Sequence, residues 1–345
     1  MSTEPTHPVP MHAVDPRPSV SVVVPAYNEA DVIVDSLTRI RAHMDTVRDR
    51  FRSEIVVVND GSTDETGELA ERFAQEHGGV RVLHHRVNFH LGQALRYAFN
   101  ATRSDYIAVI DCDLSYSPEH ITRMLFTMQD SGARIVVASP YARGGRTTAV
   151  PFGRRVLSRA ANRMLSLAAG GGLTTLTGMV RVYDGPFLRN LDLGAVDAEI
   201  NTEIIYKARM LHARIVEIPA HLDWSFPASD GKRRASANAR VTRHTLSSMF
   251  ASFLFRPFVF FLLPGLLLLA VAAYSFGRAA PHVSVLTAVT LVLALQLITL
   301  GVIAAQGKRY FEELFHLGSS IYRRLGGADP ASDPDETIVD PPGDA

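Results

Sequence analysis

Short β-branched runs alternate with stretches of helical period along the first two-thirds of the chain. The apolar runs fall at Ser19–Val24, Glu54–Asn59, Val80–His84, Tyr106–Ile110, Arg134–Ser139 and Arg214–Ile218. Segments with apolar residues at helical spacing fill most of the gaps: Glu29–Arg48, Thr63–His77, Leu91–Thr102, Pro118–Asp130, Arg154–Ala168 and Glu199–His212. Strand–helix alternation of this kind predicts an α/β domain with a mostly parallel sheet, whose ligands bind at the C-terminal ends of the strands.

The pattern changes after Ser225. Pro257–Gly277 and Val283–Ala305 are 21 and 23 residues long and carry no charge. At about 1.5 Å per helical residue, each spans roughly the 30 Å of a bilayer core. Pro264 is expected only to kink the first. Lys232, Arg233, Arg234, Arg240, Arg243 and Arg256 precede the pair, Lys308 and Arg309 follow it, and Arg278 alone lies in the connection. The positive-inside rule therefore places both ends and the α/β body in the cytoplasm. Residues 235–255 carry Val241, Leu246, Met249, Phe250 and Phe253 at helical spacing, which predicts an amphipathic helix on the inner leaflet. Residues 306–325 predict a second interfacial helix. Residues 1–18, rich in Pro and His, and the acidic 326–345 read as loose tails. No apolar run precedes Val20, so no signal peptide is expected. Two helices alone bury little in lipid, so self-association of the anchor is expected.

Composition narrows the classes. Of 345 residues, 47% are hydrophobic and 20% charged, too apolar for a disordered chain. One cysteine excludes an internal disulfide framework. Thirty-five basic side chains balance 35 acidic ones, which argues against a general nucleic-acid binder.

Candidate chemistry sits just past three strands: Pro25-Ala26-Tyr27-Asn28-Glu29, Asn59-Asp60-Gly61-Ser62-Thr63-Asp64 and Asp111-Cys112-Asp113. No GxGxxG or GxxxxGK[ST] loop occurs. Two carboxylates one residue apart at the end of an apolar strand suit Mg²⁺ or Mn²⁺ bridged to phosphate oxygens. A solvated acidic turn is the alternative for this pair taken alone. His84, His85 and His90 cluster by type, but His84 and His85 point to opposite faces of a strand, which disfavours a metal site. Cys112 is expected to face the core.

VVVPAYNEAD, VVVNDGSTDET and DYIAVIDCDLSYSPEHI, in this order and spacing, resemble the three signatures of family 2 glycosyltransferases with the GT-A fold. The resemblance runs from about Ser19 to Trp224. It is nearest to polyprenyl-phosphate sugar synthases such as dolichyl-phosphate mannose synthases and bacterial lipid-phosphate glucosyl transferases, the latter sharing the two-helix C-terminal hairpin. It implies that Pro25, Tyr27 and Glu29 frame the nucleotide, that Asp60 bonds the base, and that Asp111 and Asp113 serve the ribose, metal and diphosphate. The implied reaction is metal-dependent, inverting transfer of a hexose from a GDP-mannose or UDP-glucose type donor to a polyprenyl phosphate. The cationic candidates for the acceptor phosphate are Arg154, Arg155, Arg159, Lys232, Arg233 and Arg234. Three stretches depart from the relatives' pattern. Ala138-Ser139-Pro140 stands where GSR is usual, so an acceptor-side Arg is missing. Thr175 stands where the relatives carry Asp in D-x-T-S-G-F-R, and Ser115 where mannose synthases often have Gln. Transfer to another lipid or glycan acceptor, and a catalytically silent scaffold in glycan assembly, remain the rival readings.

Overall fold

The computed structural model describes residues 15–168, 171–225, 261–278 and 285–324. The chain divides into two compact units, Met1–Ser252 and Phe253–Ala345.

The first unit is built on strands β1 (Ser19–Ala26), β2 (Arg52–Asp60), β3 (Val80–His85), β4 (Tyr106–Val109), β5 (Ile135–Ser139), β7 (Arg181–Asp184) and β8 (Ile215–Pro219). They form one sheet in the order β3-β2-β1-β4-β7-β5-β8. Only β7 runs antiparallel to its neighbours. A small separate ribbon pairs β6 (Arg146–Thr148) with β9 (His221–Asp223). All six strands read from the sequence are present, and the sheet is mostly parallel as expected. β7 escaped the pattern because it has four residues and opens on an arginine, yet Arg181 is fully buried.

Both faces of the sheet are covered, which explains the continuous apolar runs of its central strands. Along β1, Val20, Val22 and Val24 pack with Leu37 and Ile40 of α1 (Ile33–Asp45), Phe73 of α2 (Thr66–Glu76) and Met124 of α4 (Glu119–Ser131). Val23, and Val56 and Val58 of β2, face the other way. They meet Leu95 and Phe99 of α3 (His90–Ala101), Leu165 of α5 (Phe152–Ala168), Leu188 of α6 (Gly185–Arg189) and Ile204 of α7 (Ile200–Met210). The two-residue period of the strand thus sorts one apolar run into two cores.

The second unit contains α8 (Leu263–Arg278) and α9 (Val285–Arg324), packed against one another with Ala272 and Ala294 buried between apolar side chains that point outward. Val285–Gly307 is long and apolar enough to cross a membrane, whereas the apolar stretch Leu263–Phe276 is shorter than such a span. α9 runs unbroken from the second apolar segment through the segment expected to be interfacial. The amphipathic helix expected at 235–255, residues 257–260 of the first span and the tail at 326–345 lie outside the described residues, as do residues 1–14 of the N-terminal tail.

Candidate active site

The C-terminal ends of β1, β2 and β4 open onto one cleft of about 890 Å³. Pro25, Tyr27, Glu29, Asp60, Asp111, Asp113 and Arg154 all line it, so the structure brings together residues drawn from four separate segments.

The loops after β1 and β2 are laced together. Asn28, at φ 55°, donates its backbone N–H to Ser62 Oγ (3.0 Å) and accepts from the Thr63 N–H at its side-chain oxygen (2.8 Å). The Glu29 N–H donates to Thr66 Oγ1 (2.7 Å). Gly61, at φ 66°, lets the β2 loop pass against the backbone of Val87 and Asn88; a Cβ there would lie 2.2 Å from the Val87 carbonyl carbon. No other residue fits both the dihedral and the space.

Asp60 is buried and held from two sides. Its Oδ1 accepts from the Phe89 N–H (3.0 Å) and bonds His85 Nδ1 (2.7 Å). His85 in turn stacks on Tyr97, with ring centroids 5.1 Å apart. The aspartate is therefore presented to the cleft in a fixed pose. His84 points away, to Asn59 (3.0 Å) and Glu71 (2.9 Å), so the two histidines do diverge across the strand.

At the end of β4, Leu114 takes φ 48° and turns the chain so that Asp111 and Asp113 both face the cleft. Asp113 Oδ1 accepts from the Ser115 N–H (2.9 Å). Burial first, then the charges of Asp113 and Glu29, push the Asp111 carboxyl up to about 8. Burial beside the charges of Asp113 and Glu29 thus favours a retained proton or a bound cation at Asp111. Among the described residues no cluster of three or more His, Cys, Asp or Glu side chains could hold a metal. A donor set of two carboxylates fits a hard divalent ion completed by phosphate oxygens and water. Cys112 is buried, and burial pushes its thiol well above the ordinary range, so it offers no thiolate.

Arg154, on α5, lies 3.7 Å from the Trp224 ring centroid and lines the cleft. Arg159 lies over Tyr141 (5.3 Å) and Arg155 over Phe152 (5.6 Å); neither lines the cleft. Lys232, Arg233 and Arg234 lie outside the described residues. Thr175, expected as a lost carboxylate position, donates its backbone N–H to Glu217 Oε1 on β8 (2.9 Å), and Glu217 also takes the Thr174 N–H and hydroxyl. A carboxylate from another strand thus organises this loop. Sequence reasoning missed His85 as the partner of Asp60, Trp224 as the platform for Arg154, and Asp197 and Asn201, which also line the cleft. His85 had one available signal: it sits one residue past the expected third strand, beside the strand that ends in Asp60.

The profile of "Glycosyl transferase family 2" matches residues 21–190. The chain is 31% identical over 206 residues to an undecaprenyl-phosphate mannosyltransferase of Micrococcus luteus, covering 58% of this chain and 82% of that one. It is 31% identical over 213 residues to a polyprenol monophosphomannose synthase of Mycolicibacterium smegmatis, covering 60% and 78%. Its fold is similar to that of mannosyl-3-phosphoglycerate synthase from Rubrobacter xylanophilus, with a TM-score of 0.50 at 18% identity over 67% of this chain and 73% of that one. With its mostly parallel α/β sheet, its strand-end acidic cleft and relatives matched over most of their length, the chain belongs to glycosyl transferase family 2 and is a glycosyltransferase.

Proposed function

We propose that this protein transfers a hexose from a nucleotide-diphosphate sugar to a polyprenyl phosphate at the cytoplasmic leaflet, with inversion at the anomeric carbon. The observation that carries the reading is the meeting of Asp60, the Asp111/Asp113 pair and Arg154 in one cleft. The names of the two relatives favour mannose, hence GDP-mannose over UDP-glucose, and a polyprenyl acceptor.

Pro25, Tyr27, Glu29 and Asp60 hold the nucleotide over β1 and β2. Asp111 and Asp113 would hold Mg²⁺ or Mn²⁺. When bound, that ion neutralises the charge that grows on the leaving nucleoside diphosphate. The lipid phosphate is already ionised near neutral pH, so its oxygen needs positioning rather than deprotonation. Arg154 supplies a flat, permanently charged partner for that phosphate, held in place by Trp224. Arg155, Arg159 and the Lys232–Arg234 run add positive charge for the acceptor or for anionic lipid. As the phosphate oxygen bonds the anomeric carbon, the bond from that carbon to the diphosphate oxygen breaks and the nucleoside diphosphate leaves. The two apolar C-terminal segments anchor the enzyme as a hairpin, both ends cytoplasmic, and copies associate through it.

The test is incubation of detergent-extracted protein with Mg²⁺ or Mn²⁺, undecaprenyl or decaprenyl phosphate and a panel of nucleotide sugars, read as labelled glycolipid. One donor is expected to give a product that vanishes in Asp113→Ala. Metal-dependent nucleotide binding without lipid product from any donor would refute the polyprenyl-phosphate acceptor.

A further inference from the structure

Where β7 meets the start of α7, three buried polar atoms have no hydrogen-bond partner among the described residues: Arg181 Nε, Asn201 Oδ1 and Thr202 Oγ1. Arg181 spends its two terminal nitrogens on the backbone carbonyls of Asn201 and Leu176, which ties the β7–α7 junction to the loop before β7. Of the three residues, Asn201 alone lines the cleft, and it is 2% exposed. Leaving an amide oxygen buried and unbonded is unfavourable, and such an atom on a residue that lines a binding cleft marks a candidate partner for a ligand donor.

The wall carrying Asn201 is rigidly built. Glu203 accepts the N–H groups of Gly194 (2.9 Å) and Ala195 (2.8 Å), and the Gln93 N–H donates to the Val196 carbonyl (3.1 Å). Gly92 lets this loop lie against α3, since a Cβ there would meet the Ala195 oxygen at 2.5 Å. The loop so fixed delivers Asp197 to the cleft just ahead of α7 and Asn201.

We infer that Asn201 Oδ1, with Asp197 of the same cleft, accepts hydroxyl groups of the transferred sugar and so helps decide which hexosyl donors are used. The inference rests on the glycosyl-transfer reading above. Nucleotide residues lie at the ends of β1 and β2 and the acidic pair at the end of β4; β7 is the next strand along the sheet. A donor laid across these strands in that order presents base, diphosphate and then sugar. The sugar is the portion rich in hydroxyl donors, which an amide oxygen and a carboxylate accept. A site built to take a substrate hydroxyl discriminates strongly against an analogue without it.

The test uses the full chain in detergent with Mn²⁺ and no lipid acceptor. Affinities for GDP, GDP-mannose, UDP and UDP-glucose are measured by calorimetry for wild type, Asn201→Ala and Asn201→Asp, with melting temperature as the folding control. Asn201→Ala is expected to bind nucleoside diphosphates within about twofold of wild type and the preferred nucleotide sugar about 3- to 10-fold more weakly. Asn201→Asp, which keeps the acceptor oxygen, is expected to retain the wild-type ratio. Among 2-, 3-, 4- and 6-deoxy forms of that donor, at least one is expected to bind wild type more weakly, with the deficit absent in Asn201→Ala. A folded Asn201→Ala with wild-type affinity for the nucleotide sugar overturns the assignment. So does a wild type that binds every deoxy donor as tightly as the parent, whether or not the variants fold. Failure of wild type to bind any of the four nucleotides overturns the donor reading itself, and the assignment with it.

Discussion

Gly61→Ala and Gly79→Ala make a matched pair, because both glycines have positive φ but only one is crowded. At Gly79, φ is 79° and no atom lies within 4 Å of an added Cβ. The cost there is the left-handed backbone alone, about 1–2 kcal/mol for a residue with a Cβ. At Gly61, φ is 66° and the same methyl would sit 2.2 Å from the Val87 carbonyl carbon and 2.6 Å from the Asn88 nitrogen. Both are backbone atoms, so the β3–α3 connection must move by on the order of 1 Å, adding about 1–3 kcal/mol of overpacking. The total is about 2–5 kcal/mol. For a domain of this size each kcal/mol lowers Tm by about 2–4 °C. The expected drop is therefore about 4–20 °C for Gly61→Ala and about 2–8 °C for Gly79→Ala, measured by calorimetry or intrinsic fluorescence. The displaced segment also carries the Phe89 N–H that holds Asp60 and the cleft residues Asn88 and His90. Nucleotide affinity is accordingly expected to fall about tenfold in Gly61→Ala and to stay unchanged in Gly79→Ala. If Gly61→Ala melts no lower than Gly79→Ala and binds nucleotide normally, the close approach of the two loops is refuted.

Three further outcomes follow from the site. Removing the His85 imidazole (His85→Ala) leaves the buried Asp60 with one fewer partner, and nucleotide affinity is expected to fall about tenfold by titration calorimetry. Arg154→Lys keeps the charge but loses the flat stack on Trp224; the KM for lipid phosphate is expected to rise about tenfold while nucleotide affinity is unchanged. The Asp111 carboxyl, pushed up to about 8, keeps a proton in the folded metal-free protein that the unfolded chain has already lost above the ordinary carboxylate range. Stability of the metal-free protein therefore falls as pH rises through that window toward 8. On the proposed reading a divalent ion would take the place of that proton, so the Tm increase on adding Mn²⁺ is expected to be larger at pH 8 than at pH 6. Equal increases would show that no proton is displaced.

Much of this protein was legible from local pattern. Strand and helix periods are set by neighbours a few residues apart, so six strands and their intervening helices could be read from the order of apolar and polar positions. In a parallel sheet every strand delivers its C-terminal end to the same edge, so Pro25, Tyr27, Glu29, Asp60, Asp111 and Asp113 could be placed together without coordinates. The apolar C-terminal segments were legible for the same reason, as was the inert character of Cys112. What stayed hidden depends on contacts between distant segments. β7 is short and begins with an arginine, and only its insertion between β4 and β5 makes it a strand. His85 becomes the partner of Asp60 through the β2–β3 register, which sets the two directly opposite. Trp224 meets Arg154 only after the chain has returned through β8 and β9. Asn201 gains its meaning from burial: an amide at the start of a helix is ordinary in sequence, and becomes a candidate ligand group only when packing removes water from it and supplies no donor in return.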